Sequence, residues 1–309
     1  KYAEGVTFSK PCKDGTQDLH VYDDVTKLYR DGVLVAESKV YMEHLVGAVW
    51  TRYDFGKTVP DISLNAIANL GYAECKFLKP AYPGDTITSH SEVIGLKENS
   101  NGDNGVVYVH STGLNQKNEA VIDYKRWVMV RKKNKSLPKI ESVIPKLNSE
   151  VTKEEVIAIS KDYQFEMKNY DFTAAGSDLV FEDYKIDEKI NHIDGITVEE
   201  AEHMMATKLY QNNAKVHFNH FVEKGGRFGK RIVYGGHVIS LTRSISFNGL
   251  SNAFKIIAIN GGTHASPCFA GKTVFAWSKI IEKVDVSDTL GALRIRTNGL
   301  GDAQPYQFQ

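Results

Sequence analysis

Pro80-Ala81-Tyr82-Pro83-Gly84-Asp85-Thr86-Ile87, followed by Ser91-Glu92-Val93-Ile94, recurs 187 residues later as Pro267-Cys268-Phe269-Ala270-Gly271-Lys272-Thr273-Val274, followed by Ser278-Lys279-Ile280-Ile281. Upstream, Asn65-Ala66-Ile67 matches Asn252-Ala253-Phe254 at the same offset. Downstream, Thr112-Gly113-Leu114 matches Asn298-Gly299-Leu300 at an offset of 186. Several matches in one order mark two copies of one structural unit.

Within each copy the reading is a helix, a proline-glycine turn and then long strands. In the second copy, His237 to Phe247 carries Val238, Leu241 and Ile245 at the spacing of one helical face, and Asn248-Gly249 supplies a stop. Its Ser, Thr and Ile residues give it weak intrinsic helicity, so burial must hold it. Thr273 to Ile281, rich in Val, Phe, Trp and Ile, reads as a strand. In the first copy, Val106 to Leu114 and Ala120 to Arg131 flank the polar turn Asn115 to Glu119, which predicts a hairpin. A helix wrapped by antiparallel strands is the plan of a hotdog fold, so the expected class is α+β, a double hotdog of two tandem units. The expected division is 1–135 for the first copy, a linker over 136–150 and 151–309 for the second. Lys132 to Glu150 is rich in Lys, Ser and Pro, in keeping with a linker. The second copy has only nine residues after Leu300, so its last strand is expected to be missing or changed.

The 309 residues hold 38 Lys+Arg and 38 Asp+Glu, a balance that argues against capture of nucleic acid or an anionic membrane by net charge. Cys12, Cys75 and Cys268 are far apart and odd in number, unlike a disulfide framework or a close-spaced zinc site. No run reaches the roughly 18 apolar residues that span a bilayer, and Lys1-Tyr2-Ala3-Glu4-Gly5 lacks the core of a signal peptide. The expectation is a soluble, cytoplasmic protein. The chain begins with Lys, so residues are expected to precede it.

Thr197, with Glu200 three residues on, predicts a capping box ahead of the apolar stripe Val198, Ala201, Met205 and Leu209. Glu199, Glu200 and Glu202 then read as a solvated first turn. The helix ends near Tyr210 and gives way to the polar stretch Tyr210-Gln211-Asn212-Asn213-Ala214-Lys215-Val216-His217-Phe218-Asn219-His220. Next comes the basic, glycine-rich run Gly225-Gly226-Arg227-Phe228-Gly229-Lys230-Arg231-Ile232-Val233-Tyr234-Gly235-Gly236-His237. An imidazole moves protons near neutrality and amides orient water, which suits His217, Asn212 and Asn213 to acid-base work. Backbone N–H groups at a helix start stabilise developing negative charge, and Gly235 and Gly236 allow close approach there. The competing reading of His217 and its neighbours is a structural cap or loop.

The order of helix, polar loop ending in His-Phe, Gly-Arg-Phe-Gly, Gly-Gly and buried helix resembles the MaoC-like (R)-specific enoyl-CoA hydratases. Their signature is Gly-Asp-x-Asn-Pro-Ile-His, with Asp and His as the catalytic pair. His217 matches the histidine, whereas Asn212 replaces the aspartate, Ala214 the asparagine and Lys215 the proline. Further segments are similar to the mesaconyl-CoA (2-methylfumaryl-CoA) hydratase branch: Ser63-Leu64-Asn65-Ala66-Ile67-Ala68-Asn69-Leu70-Gly71-Tyr72-Ala73, Gly95 to Gly102, Arg126 to Arg131, Leu209 to Asn219, and Ser246-Phe247-Asn248-Gly249-Leu250. The likeness runs from about residue 60 to 282.

The resemblance implies reversible hydration of mesaconyl-CoA to β-methylmalyl-CoA, with the catalytic loop in the second copy and the acyl pocket shaped by the first. His217 is then the general acid/base, Asn212 the residue that positions water, and Gly236 N–H, with Gly235, the binder of the thioester oxygen. A neutral Asn takes no proton, so His217 acts alone or with a carboxylate, for which Asp194 is the candidate. The acyl group's free carboxylate calls for a cation, Arg243 first and Lys215 second; an internal ion pair is the alternative for Arg243. Arg227, Lys230 and Arg231 are candidates for the CoA phosphates, against the reading of a solvated charged loop. His237 and His264 are read as packing or turn residues, and Trp50, Trp127 and Trp277 as core or interface anchors. No cofactor or metal is expected, since coenzyme A is part of the substrate; neither nucleic acid nor membrane is a partner, and a homodimer is expected. The competing functions are a general (R)-specific enoyl-CoA hydratase, an acyl-CoA thioesterase and a non-catalytic acyl-CoA-binding protein.

Overall fold

The computed structural model describes residues 58–63, 66–82, 84–161, 168 and 170–303, together with the backbone of four strands before residue 39. Cys12, Trp50, Leu64, Asn65, Pro83 and the last six residues lie outside the described residues, as does nearly all of the helix expected in the first copy. At the end of that segment, Val59–Ser63 forms a π-helical turn.

Strands β1 (Val6–Thr7), β2 (Gln17–Tyr22), β3 (Val25–Arg30) and β4 (Val33–Ser38) make one antiparallel sheet. The first copy continues with β5 (Ala66–Phe77), β6 (Thr88–Glu98), β7 (Asn104–Leu114) and β8 (Ala120–Arg131). Then come helices α1 (Lys153–Ser160) and α2 (Phe172–Ala175), strand β9 (Lys189–Thr197), and helices α3 (Glu200–Leu209), α4 (Lys215–Phe218), α5 (His220–Glu223) and α6 (Gly235–Ile245). Strands β10 (Ala258–Gly262), β11 (Thr273–Ser287) and β12 (Leu290–Gly301) complete the order.

The repeat seen in the sequence is a repeat in space. Gly84 and Gly271 both take positive φ, +95° and +87°, where a side chain would be strained. Each opens a strand onto the same hairpin: Thr88 pairs with Leu114 in β6–β7, and Phe275 with Leu300 in β11–β12. Both hairpins carry a bulge at the equivalent point, between Val93 and Gly95 and between Ile280 and Glu282. Side chains alternate in and out as strand geometry demands, with Val274, Ala276, Ser278 and Ile280 all buried on one face of β11.

Strands β5, β9 and β10 were not anticipated from the sequence, and they are what assemble the molecule. β10 lies 187 residues after Gly71–Cys75 of β5, and these equivalent strands pair antiparallel, Ile259 with Cys75 and Gly262 with Tyr72. The two copies therefore meet strand to equivalent strand, giving the sheet β10-β5-β8-β7-β6. The other sheet is β12-β11-β9; among the described residues no strand flanks β12 as β8 flanks β7.

Helix α6 packs on β9, β11 and β12. Val238, Leu241 and Ile245 face Val198, Val233, Val274 and Ala276. Burying each such side chain stabilises by roughly 1.5–3 kcal/mol, more than the few tenths of unfavourable propensity per Ser, Thr or Ile. The helix begins two residues earlier than its apolar pattern predicts, at Gly235.

Lys132 to Glu150, expected as a linker, lies along β6: Leu96 and Val143 exchange both backbone hydrogen bonds at 2.8 Å. Further on, Asn148 N–H donates to Glu74 Oε1 at 2.8 Å. Tyr210 and Tyr234 of the second copy share a buried cluster with Cys75, Ile87, Val121 and Tyr124 of the first, so the segment between α3 and α6 is seated on the other copy. No helix among the described residues is long and apolar enough to cross a membrane.

Candidate active site

Helix α3 corrects the sequence reading. Its capping box is Glu199 with Glu202, while Thr197 ends β9 and pairs its hydroxyl with Thr273 at 2.8 Å. The helix buries His203 and Thr207; the apolar stripe points outward, Ala201 exposed, Met205 69% and Leu209 60% exposed. Only Val198, just before the helix, is in the core. The polar side chains on the inner face are partnered in part, with His203 Nδ1 buried without a partner among the described residues. His203 Nε2 pairs with Glu200 Oε2 at 3.1 Å, and Thr207 Oγ1 donates to His203 O at 2.7 Å. Nor is the acidic first turn simply solvated: Glu200 also pairs with Arg231, and Glu202 Oε1 accepts from His237 Nε2 at 2.8 Å.

The polar stretch after α3 folds into two single-turn helices, α4 and α5. Asn212 is buried, and its Oδ1 accepts from Ala214 N–H at 3.1 Å, an Asx turn that leads the chain into α4. His217 is held at both ends of one tie. Ile232 N–H donates to Val216 O at 3.1 Å, and Ile232 O meets His217 Nδ1 at 3.0 Å. A carbonyl only accepts, so Nδ1 carries the proton and Nε2 is left as the basic nitrogen. Burial pushes the imidazole down to about 4; the Ile232 carbonyl works in the opposite direction, and the nearby His203 and His264 add to the lowering. His217 is therefore a neutral base throughout the physiological range.

Three residues beyond Ile232 the chain enters α6. Tyr234 is its N-cap residue and supplies no side-chain cap, while Tyr234 O accepts from His237 and Val238 N–H at 2.9 and 3.3 Å. Among the described residues nothing takes the N–H groups of Gly235 and Gly236, the positive end of an eleven-residue helix. The Tyr234 ring joins the two parts of the site. Its centroid is 5.6 Å from that of His217, and its Cζ would lie 2.6 Å from a Cβ on Gly236. The His217 ring and the Gly236 backbone thus lie against the same aromatic ring.

Other predicted residues are elsewhere. Asp194 is exposed at positive φ on the bulge of β9 and makes no hydrogen bond to His217. Arg243 forms no ion pair among the described residues; it donates to Ser246 Oγ at 2.9 Å and Ala253 O at 3.0 Å, and burial lowers its pKa. Seven residues of helix, about 10 Å, separate it from Gly236, and both partners lie toward the far end of α6. Arg231 pairs with Glu200. Arg227 and Lys230 are exposed and stand over the Phe228 and Phe269 rings at 5.0 and 4.4 Å. Lys215 and Asn213 are exposed, Lys215 on the first turn of α4. Trp127 packs over Gly71 and stacks on Tyr108 at 6.3 Å, and Trp277 is half-buried in β11.

Sequence reasoning missed His203, the Glu202–His237 pair and the apposition of Tyr234 and His264 to the two glycines. The 3-residue spacing of Glu200 and His203 is a helical neighbour pair that could have been read. The Glu202–His237 pair and the contact of His264 with Gly235 depend on tertiary contacts across 35 and 29 residues, and Tyr234 lies beside Gly236 only through the turn that opens α6.

No family model matches the chain. Over 256 residues it is 55% identical to β-methylmalyl-CoA dehydratase of Chloroflexus aurantiacus, covering 82% of this chain and 72% of that protein. Over 243 residues it is 55% identical to mesaconyl-CoA hydratase of Cereibacter sphaeroides, covering 78% and 69%. The chain belongs to the mesaconyl-CoA hydratase family. It is accordingly an enzyme of the hydro-lyase type. A solved MaoC domain dehydratase from Chloroflexus aurantiacus superposes with a TM-score of 0.81 at 53% identity, covering 84% of this chain and 74% of that one. A double hotdog protein of Mycobacterium tuberculosis superposes at 0.58 with 19% identity, covering 84% and 76%, a likeness of fold. The mesaconyl-CoA hydratase family thus has here a MaoC-like double hotdog in which Asn212 holds a turn where the wider group's signature has an acid.

Proposed function

We infer that the protein reversibly adds water across the double bond of mesaconyl-CoA, giving β-methylmalyl-CoA. The observation that supports this reading is the approach of the His217 ring, with Nε2 unpartnered among the described residues, to the Tyr234 ring that packs against Gly236 at the start of α6. With the thioester oxygen on the two amides, the carbon β to it becomes electrophilic. His217 Nε2 takes a proton from water as the water oxygen bonds to that carbon, and the electron pair of the double bond moves onto the thioester oxygen. The imidazolium then returns its proton to the α carbon and the thioester carbonyl re-forms. An imidazole held near 4 is a modest base but a strong acid once protonated, which favours the second transfer. Asn212, fixed through Oδ1, leaves its amide nitrogen to orient the water.

The cations available to the phosphates of a CoA substrate are Arg227 and Lys230, which have no carboxylate partner among the described residues. The chemistry uses imidazole and backbone amides, and coenzyme A enters as part of the substrate. Free Cys75 and Cys268 fit a reducing, cytoplasmic setting. The outward Met205 and Leu209 support a homodimer that covers α3.

Absorbance-monitored hydration tests the reading. Mesaconyl-CoA should be consumed to an equilibrium with β-methylmalyl-CoA, faster than crotonyl-CoA at equal concentration and with no free thiol released. A preference for crotonyl-CoA points to a general enoyl-CoA hydratase, thiol release to a thioesterase, and saturable binding without turnover to a binding protein; each contradicts the reading.

A further inference from the structure

A second imidazole stands at the glycine amides. His264 follows β10 by two residues, so the strand that joins the two copies also delivers a side chain to the start of α6. A Cβ on Gly235 would lie 2.5 Å from His264 Nε2 and 2.6 Å from Cε1, so only a residue without one lets the ring come this close. The ring meets Tyr72 of the first copy edge-on, with centroids 6.4 Å apart and planes at 82°. His264 is solvent-exposed, touches both copies of the fold and makes no hydrogen bond with any described residue. Its nitrogens are therefore open to a ligand at the start of α6. Its nearest nitrogen points at the helix end where charge develops during hydration.

We propose that His264, as a neutral imidazole with the proton on Nε2, is the third donor to the thioester oxygen, beside the N–H groups of Gly235 and Gly236. The assignment rests on the hydratase reading and adds to it a group from the junction of the copies. Burial lowers the pKa of His264, and the positive end of α6 acts in the same sense, so the ring is uncharged when substrate binds. A neutral N–H strengthens its hydrogen bond as the oxygen gains charge, and keeps its proton. This division leaves proton transfer to His217, whose Nε2 is free. It also gives the Gly235 position a reason: a methyl group there would push the ring off the oxygen.

The test uses the whole chain with mesaconyl-CoA. His264→Leu should lower kcat about 100-fold with KM within about 3-fold, the usual size of a lost oxyanion donor, while the fold is unchanged by circular dichroism. His264→Gln, which keeps an N–H, should recover part of that loss. Gly235→Ala should behave like His264→Leu and add little to it in the double variant, because both remove the same donor. The direct readout is the infrared stretch of mesaconyl-CoA labelled with 13C at the thioester carbonyl, bound to His217→Ala so that it is not turned over. Its frequency should fall on binding and recover on adding His264→Leu. If the wild type does not hydrate mesaconyl-CoA, the hydratase reading fails and this assignment with it. If the wild type turns over but His264→Leu matches it in kcat and leaves the carbonyl stretch unmoved, His264 is a packing residue and the assignment alone is overturned.

Discussion

His192, on β9, and His217, on α4, each donate Nδ1–H to a backbone carbonyl, that of Asn248 at 2.6 Å and that of Ile232 at 3.0 Å. Burial is the leading cause that holds both below the ordinary imidazole range. They part at the other nitrogen. His192 Nε2 accepts from the Ser278 hydroxyl at 2.7 Å, which in turn meets Thr297 at 2.8 Å, so the ring is fully spoken for inside the sheet. His217 Nε2 has no protein partner among the described residues, and its ring lies 5.6 Å from that of Tyr234, the residue that opens α6. Burial and a depressed pKa are therefore common to a structural and a catalytic histidine; the nitrogen left unused tells them apart.

That contrast can be broken in steps. The largest effect should come from His217→Ala, with kcat lowered at least about 100-fold while the thermal midpoint and circular dichroism stay near wild type; near-normal turnover removes His217 from the chemistry. His192→Leu should do the reverse. It removes the partner of the Asn248 carbonyl and one of the two partners of the buried Ser278 hydroxyl and leaves a gap where the ring was, at a cost of about 2–4 kcal/mol by urea unfolding, with turnover per folded molecule within about 2-fold. A loss of kcat comparable to that of His217→Ala would erase the distinction.

The pH behaviour should divide in the same way. His217 is the base in its neutral form, so kcat should hold steady from about pH 7.5 down to about 5.5 and fall only toward the value of about 4 that burial sets. A limb at the ordinary imidazole value, about 6.5, contradicts that desolvation. Stability is a separate readout. Both rings bind protons more readily unfolded than folded, so their contribution is present above about 6.5 and is lost as pH falls below it. Removing His192 should flatten part of that acid loss. The smallest effect is expected from Arg243→Met: with its guanidinium on Ser246 and Ala253, the ratio of mesaconyl-CoA to crotonyl-CoA turnover should change less than about 2-fold. A larger fall in that ratio would return Arg243 to the acyl carboxylate.

The double hotdog was legible because its signals are local. The Pro-Gly turns dictate a backbone conformation, and β7, β8 and β11 alternate with period two over most of their length. β10 was not, since Ala258–Gly262 has no apolar alternation and is defined by its pairing with β5. α3 was misread because an apolar stripe is evidence of a buried face only when polar side chains cannot find partners inside; Thr207 finds one, and His203 finds one at Nε2. At the site, His217 and the two glycines could be named from chemistry and order along the chain. His264 and the Glu202–His237 pair could not, because neither belongs to a local motif, and Arg243 was misplaced because helix position says nothing of which way a long side chain turns.

The most direct test of the convergence of His217 with the α6 amides is a crystal structure of the protein with 2-methylsuccinyl-CoA, the saturated analogue of mesaconyl-CoA. The thioester oxygen should lie about 3 Å from Gly236 N, with the β carbon facing His217 Nε2 across the space of one water. A thioester bound with its carbonyl away from Gly235 and Gly236, or with its β carbon out of reach of His217, would contradict it.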